Sequence, residues 1–359
     1  MITQKRLKTC FFWCIFFFLL ISQSKGQPGF VSKSLLSSRY GDEYVGGMVN
    51  YKPSFSFKMP KYDYKVNNKN EFLQALKSVK SYGTIYIEGD SEIDLSDQKT
   101  INVRTGVKII SNRGNKGSLG ARLYSNNPRI YPMFECGSYV NFIGLRIDGT
   151  DENVFFKNVE KKTFKENTYG PGVTQGIRTH NDGLVVSNCE FSGWTHSAIM
   201  IKGKNAKITH SYFHHNMRHG LGYGITVDGG HAVIQGNLFD YNRHSIASTG
   251  VKNSSYIVEY NIFLENGTSH VVDVHGGRDR KDNTDIAGKS FVVQNNWFRL
   301  KEKSGGAFVI RGIPTNRAVF SNNTVEIFDK NTASARDVNS YVRQNNAKGN
   351  FVSKNNVLK

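Results

Sequence analysis

All ten histidines of the chain fall between His180 and His275. Four recur at a nearly constant distance behind a phenylalanine: His196 after Phe191, His219 after Phe213, His244 after Phe239 and His270 after Phe263. The separations are 5, 6, 5 and 7 residues. Arg218 and Arg243 directly precede two of them, and Tyr223, Asp228, Asp273 and His275 lie a strand further on. Imidazole, guanidinium and phenol at one edge suit proton transfer beside a bound carboxylate.

β-Elimination from a uronic acid needs such a set: a group that neutralises the carboxylate, a base for the α-proton and an acid for the leaving oxygen. Arg243 with Asn242 is the candidate carboxylate site, His219 or His244 the base, and Tyr223 the acid. Arg311 is a second clamp, because a guanidinium binds carboxylate through two parallel hydrogen bonds. His275 joins the catalytic candidates, and His196, Asn242, His270 and Asp273 complete the candidate substrate-binding set. Two other readings stay open. Stacked histidines also form purely structural ladders, and glycoside hydrolysis needs two carboxylates on one face, for which Asp228, Asp240 and Asp273 are available. No metal site is expected: His214 and His215 cannot both face one ion from a strand, and no His/Asp set has closed zinc spacing.

These residues need an element that repeats. The segments ending in Phe191, Phe213, Phe239, Phe263 and Phe298 are short, apolar and Asn-rich, with spacings of 22, 26, 24 and 35 residues. Phe142 to Ile147 and Ala318 to Asn323 look like outer members. Short strands at this period indicate a β-solenoid whose coils build one continuous core. Three residues after the phenylalanine stand Asn216, Asn242 and Asn266, the expected rungs of a hydrogen-bonded turn ladder. Coils stacked roughly 4.8 Å apart would spread the four histidines along roughly 15 Å. Glu71 to Val79 reads as a short amphipathic helix ahead of the first strand, Thr84 to Ile87.

With its N-terminal cap helix, first strand and asparagine ladder, the region from Glu71 to Val357 resembles the pectate-lyase-like superfamily. The resemblance implies an all-β fold, a single-stranded right-handed parallel β-helix with a short N-terminal capping helix. Such folds host lyases, hydrolases, epimerases and non-catalytic adhesion proteins. Asn242-Arg243-His244, Asp273-Val274-His275-Gly276 and Arg311-Gly312-Ile313-Pro314 look like a group of secreted microbial β-helix proteins. Pectate lyases carry Arg-x-Pro-x-x-Arg, whereas Arg311 to Arg317 is one residue longer. Their acidic calcium cluster and Trp-Ile-Asp-His segment have no clear match. The resemblance therefore implies a calcium-independent His/Tyr/Arg site and no cofactor. The Asp-Asp pair and Gly-His-Gly of β-helix polygalacturonases are also missing, which ranks hydrolysis below elimination.

Residues 1–26 read as a secretory signal peptide, with Lys5, Arg6 and Lys8 before an apolar core and small residues before Gln27. Losing its four basic residues (Lys25 is the fourth) takes the net charge from +18 to +14. Residues 27–70 read as an irregular strap and 71–359 as the solenoid. Cys136 and Cys189 remain in the mature chain, either paired or as buried thiols. Sequons stand at Asn253, Asn266 and Asn322; the ladder occupies Asn266, leaving Asn253 and Asn322 as the expected glycan sites. The expected protein is a secreted, extracellular monomer with an acidic polysaccharide as partner, no nucleic acid and no membrane span. Elimination is the first reading and a non-catalytic matrix or glycan binder the second, since lysines are also spread from Lys157 to Lys165 and Lys281 to Lys303. Specificity is expected in the loops Val154 to Thr179 and Gly276 to Gly288.

Overall fold

The computed structural model of the protein describes residues 60–150, 172–301, 305–328, 338–344 and 349–359. The signal segment, residues 27–59 of the strap, residues 154–171 of the first loop and the lysines from 157 to 165 lie outside them. The chain winds through three parallel sheets of 11, 10 and 9 strands. One coil runs from Val185–Ser187 in the first sheet through Glu190–Ser192 in the second to Ser197–Ile201 in the third. The next coil lies directly on it, pairing Val186 with Ile208, Phe191 with Phe213 and Ile199 with Ile225.

Each strand is short because a corner must follow it. Between the first and second sheets the corner is one left-handed residue: Asn188, His210, Gly236, Tyr260, Asn295, Asn322 and Asn355 all have positive φ. A single such residue turns the chain without continuing the strand. Inside, Phe191, Phe213, Phe239, Phe263 and Phe298 stack at centroid distances of 5.0, 5.1, 5.0 and 4.7 Å. The repeated phenylalanines are therefore the core of the second sheet. The cap helix is Lys69–Ser78, started by Asn68, whose side chain accepts from the Glu71 amide; it closes the core with Phe72, Ala75 and Leu76. Tyr64–Val66 already pairs with the strand Thr84–Ile87, so the solenoid begins inside the segment read as strap.

The asparagine ladder is real but sits elsewhere. Directly after the left-handed corner, Asn237, Asn261, Asn296, Asn323 and Asn356 form a continuous file. Each backbone N–H donates to the next Oδ1 at 2.9 Å, and each side-chain amide donates to the same oxygen. At the expected corner only Asn216 and Asn242 stack, at 2.9 Å. Asn266 instead donates its side-chain amide to Asp240 Oδ2 at 3.2 Å. A longer turn after Phe263 puts Gly267 against the Asn242 carbonyl and moves Asn266 out of register.

Asn261→Ala would strip partners from the buried Asn237 amide and the Ile234 carbonyl. At about 1–3 kcal/mol per buried unsatisfied group, the expected loss is roughly 2–4 kcal/mol by denaturant unfolding. A loss below about 1 kcal/mol would mean that water replaces the rung.

Cys136 and Cys189 are free and buried, and burial pushes the Cys189 thiol up to about 12. Asn253 and Asn322 are exposed at turns. Among the described residues no helix is long and apolar enough to cross a membrane.

Candidate functional site

The third sheet carries the candidate chemistry. Its strands Ser197–Ile201, Tyr223–Val227, His244–Ser248, Val272–Val274 and Phe308–Ile310 bury Ile199, Ile225, Ile246, Val272 and Phe308 in one inward row. The next row, Thr226, Ala247 and Asp273, points outward. Tyr223 pairs in register with His244. A Cβ on the neighbouring Gly224 would stand 3.3 Å from the core ring of Phe239 and 3.4 Å from the Cβ of Phe213, so Tyr223 faces the opposite way.

A file of rings results. Tyr131, His196, Tyr223, His244 and His270 follow one another at centroid distances of 5.3, 5.8, 5.6 and 5.6 Å. His219 is not in it. The expected line of four histidines is broken because Arg218 to Leu221 forms an extra tight turn, and Tyr223 takes the place in register. Asn242 does not join the site either: its side chain is buried, accepts from Asn216 and donates to the Phe213 carbonyl at 3.0 Å.

Asp273 organises the rest. Its side chain is wholly buried, and its Oδ2 lies 2.6 Å from Arg311 Nη2, 3.1 Å from His275 Nε2 and 3.7 Å from His244 Nε2. His275 is two residues along the same strand face, and Arg311 holds the matching place one coil on, since Val274 pairs with Ile310. Arg311 Nη1 also reaches Asp279 Oδ1 at 3.1 Å. The glycine of Asp273-Val274-His275-Gly276 has a packing reason: a Cβ on Gly276 would come within 2.0 Å of the Arg311 carbonyl. Burial raises the Asp273 carboxyl, but the hydrogen bond from His275 and the charge of Arg311 outweigh it and hold the group well below the usual carboxylate range.

His244 is 1% exposed. Its Nδ1 lies 2.5 Å from the His270 carbonyl, which can only accept, so Nδ1 carries the proton and Nε2 the lone pair. Burial pulls its pKa down to about 3, Arg243 adding to the drop and Asp273 opposing it. The Tyr223 hydroxyl donates to the Gly220 carbonyl at 3.2 Å, and burial raises its pKa against the pull of Arg243. The Arg243 guanidinium lies 6.0 Å from the Tyr223 ring centre.

Thus Tyr223, Arg243, His244, His270, Asp273, His275 and Arg311 come together, with His196 at the far end of the ring file. The hydrolytic carboxylates do not. Asp240 lies on the second sheet, and Asp228 is bound by Lys202 and Thr249, both at 2.8 Å. Tyr131, Gln175 and Asp279 were missed. No repeat marks them, because they come from turns and from a coil with a different spacing. Clustering of histidines along the chain also overstated their clustering in space: His214 lies on the second sheet, bound to Glu190 at 3.1 Å, with His215 beside it.

These burials predict an acid-labile fold. His196, His215 and His244 have pKa values pulled down by burial to about 4, 2 and 3. Unfolded imidazoles take a proton near 6.5, so unfolding absorbs protons below that pH and stability falls as pH drops. The slope is about 1.4 kcal/mol per pH unit for each histidine at full uptake. Asp240, pushed up to about 6 by burial, works the other way, but one carboxyl does not offset three imidazoles. Denaturant unfolding between about pH 7.5 and 4.5 should show a steep decline; a flat profile would contradict it.

Gln175 Oε1, Arg218 Nη1, Thr226 Oγ1, Arg243 Nη1, His244 Nε2 and Asp273 Oδ1 are buried without a hydrogen-bond partner among the described residues. Buried polar atoms of native proteins are normally paired, so these exceptions call for partners that the described side chains do not supply.

The architecture makes the chain a right-handed parallel β-helix. It belongs to the family DUF1565, described as a protein of unknown function, whose model matches residues 71–305. Comparison with curated protein sequences finds no match. Among solved structures, an alginate lyase from Paenibacillus sp. str. FPU-7 is similar at 17% identity and TM-score 0.56, covering 82% of this chain and 94% of that one. A family 28 exopolygalacturonase of Yersinia enterocolitica is similar at 16% identity and TM-score 0.44, over 81% of this chain and 62% of that one.

Proposed function

We propose that the protein is a secreted polysaccharide lyase that cleaves an acidic polysaccharide by calcium-independent β-elimination. The observation that carries the reading is the run of buried, unpartnered polar atoms beside a neutral histidine, a phenol and a guanidinium on one sheet face. Arg243 neutralises the uronate carboxylate and so acidifies the α-proton. His244 Nε2 takes that proton, and Asp273 stabilises the imidazolium. The electron pair forms the new carbon–carbon double bond as the glycosidic C–O bond breaks. Tyr223, kept protonated by burial, passes its proton to the leaving oxygen. Both His244 Nε2 and Arg243 Nη1 are buried, so a ligand reaches them when surrounding side chains move aside.

In this reading residues 1–26 are a cleaved signal, and the mature protein is a monomer with glycans at Asn253 and Asn322. The similarity to an alginate lyase fits the reading at the level of the fold. A binding-only role is favoured by one observation: Arg311 is already held by Asp273 and Asp279. Incubation with alginate, pectate, hyaluronan and chondroitin, following the absorbance of the new double bond, separates the two. Retained binding with no absorbance on any polymer would reject elimination.

A further inference from the structure

We infer that this face reads carboxylates carried by successive sugars, so that its ligand is a homopolymer of uronic acid and Arg218 holds the carboxylate next to the one at Arg243. The inference rests on the proposed polyuronate ligand and not on the cleavage step.

The two arginines leave adjacent turns whose spacing is set. Asn216 stacks on Asn242 through its side-chain amide at 2.9 Å, and the Arg243 amide donates to the Asn216 carbonyl at 3.3 Å. Arg243 directly follows Asn242, and Arg218 follows Asn216 by two residues. The two side chains therefore leave neighbouring coils, which rise roughly 4.8 Å along the solenoid axis. The same phenol anchors both turns: the Tyr223 hydroxyl holds the Gly220 carbonyl at 3.2 Å, and the Arg243 guanidinium lies 6.0 Å from the Tyr223 ring centre.

Nothing described neutralises either arginine. Neighbouring cations have carboxylate partners, Glu135 for Arg178, Asp228 for Lys202, and Asp273 and Asp279 for Arg311. Among the described residues no carboxylate pairs with Arg218 or Arg243, and each has a buried Nη1 without a partner. Two like charges one coil apart repel until anions arrive at the same spacing. A coil rise is close to the length of one linked pyranose unit. A chain lying along the axis with a uronate at every unit meets both arginines. A polymer with a uronate at every second unit meets only one. Gln175 Oε1, one of the unpartnered acceptors two coils toward the N-terminus, suits a sugar hydroxyl on the same chain.

The test is calorimetric binding of polymannuronate and polygalacturonate against hyaluronan and chondroitin at equal uronate concentration. Wild type should bind at least one homopolymer about tenfold or more tighter than either alternating polymer, as one added carboxylate contact predicts. Arg218→Ala should erase that ratio and flatten the salt dependence, with an unchanged circular dichroism spectrum. Arg218→Lys, which keeps the charge but not the fork, should restore part of it and covers the case of a poorly folded alanine variant. Equal binding of both polymer types, or an unchanged ratio in both variants, would overturn the inference. A retained ratio without unsaturated product would remove the elimination reading and leave this one standing.

Discussion

Replacing His244 with alanine should lower kcat/KM on the cleaved polymer by about 10²–10⁴-fold, the usual worth of a positioned general base. Loss of Arg243 should be of similar size, since an unneutralised carboxylate leaves the α-proton far less acidic. His244 stacks between Tyr223 and His270 at 5.6 Å on each side, so His244→Asn is the companion variant; it keeps a donor near the His270 carbonyl and removes the lone pair of Nε2. If either His244 variant folds, binds the polymer and releases unsaturated product at the wild-type rate, His244 is not the base. The pH profile offers a second reading of the same group. Held neutral to about 3, His244 stays competent to accept a proton as pH falls. The acid limb of kcat/KM should therefore lie well below 6.5, down to the pH at which the fold itself fails. An acid limb near 6.5 would point to an exposed histidine instead.

Asp273→Ala should produce the largest stability loss on this face. The substitution leaves Arg311 and His275 without the wholly buried carboxylate that had joined them. Breaking a buried pair costs about 3–5 kcal/mol; the arginine is 27% exposed and regains some hydration, so about 2–3 kcal/mol is expected. Denaturant midpoints for Asp273→Ala, Arg311→Ala and the double variant check it. If the double variant loses the sum of the two single losses, the pair is not coupled and Asp273 does not organise the face.

Much of the fold was legible because a solenoid repeats its reasons. Phenylalanines at spacings of 22 to 26 residues must stack if the coils are to share a core, and they do, at 5.0 to 5.1 Å. The cap helix read from Glu71 begins two residues earlier, at Lys69. The asparagine ladder was assigned to the wrong corner because counting from phenylalanine works only while turns keep one length. The true file, Asn237 to Asn356, stands two residues before each core position and was present in the repeats all along.

The candidate site was less legible, and for one cause. The corner between the second and third sheets varies in length, so equal spacing behind a phenylalanine does not mean equal register. Arg218 to Leu221 inserts a turn, expels His219 and brings Tyr223 onto His244. Residue types alone established that imidazole, phenol and guanidinium would share an edge of a β-helix, because period and alternation dictate which sheet a strand joins. Only the tertiary structure decided which of them touch: Asp273 as the hub, His244 neutral behind it, and Arg243 over the Tyr223 ring with no carboxylate partner among the described residues. The contacts of Asp273 with His244 and Arg311 span 29 and 38 residues of sequence and depend on how turns stack between coils, which no local pattern encodes.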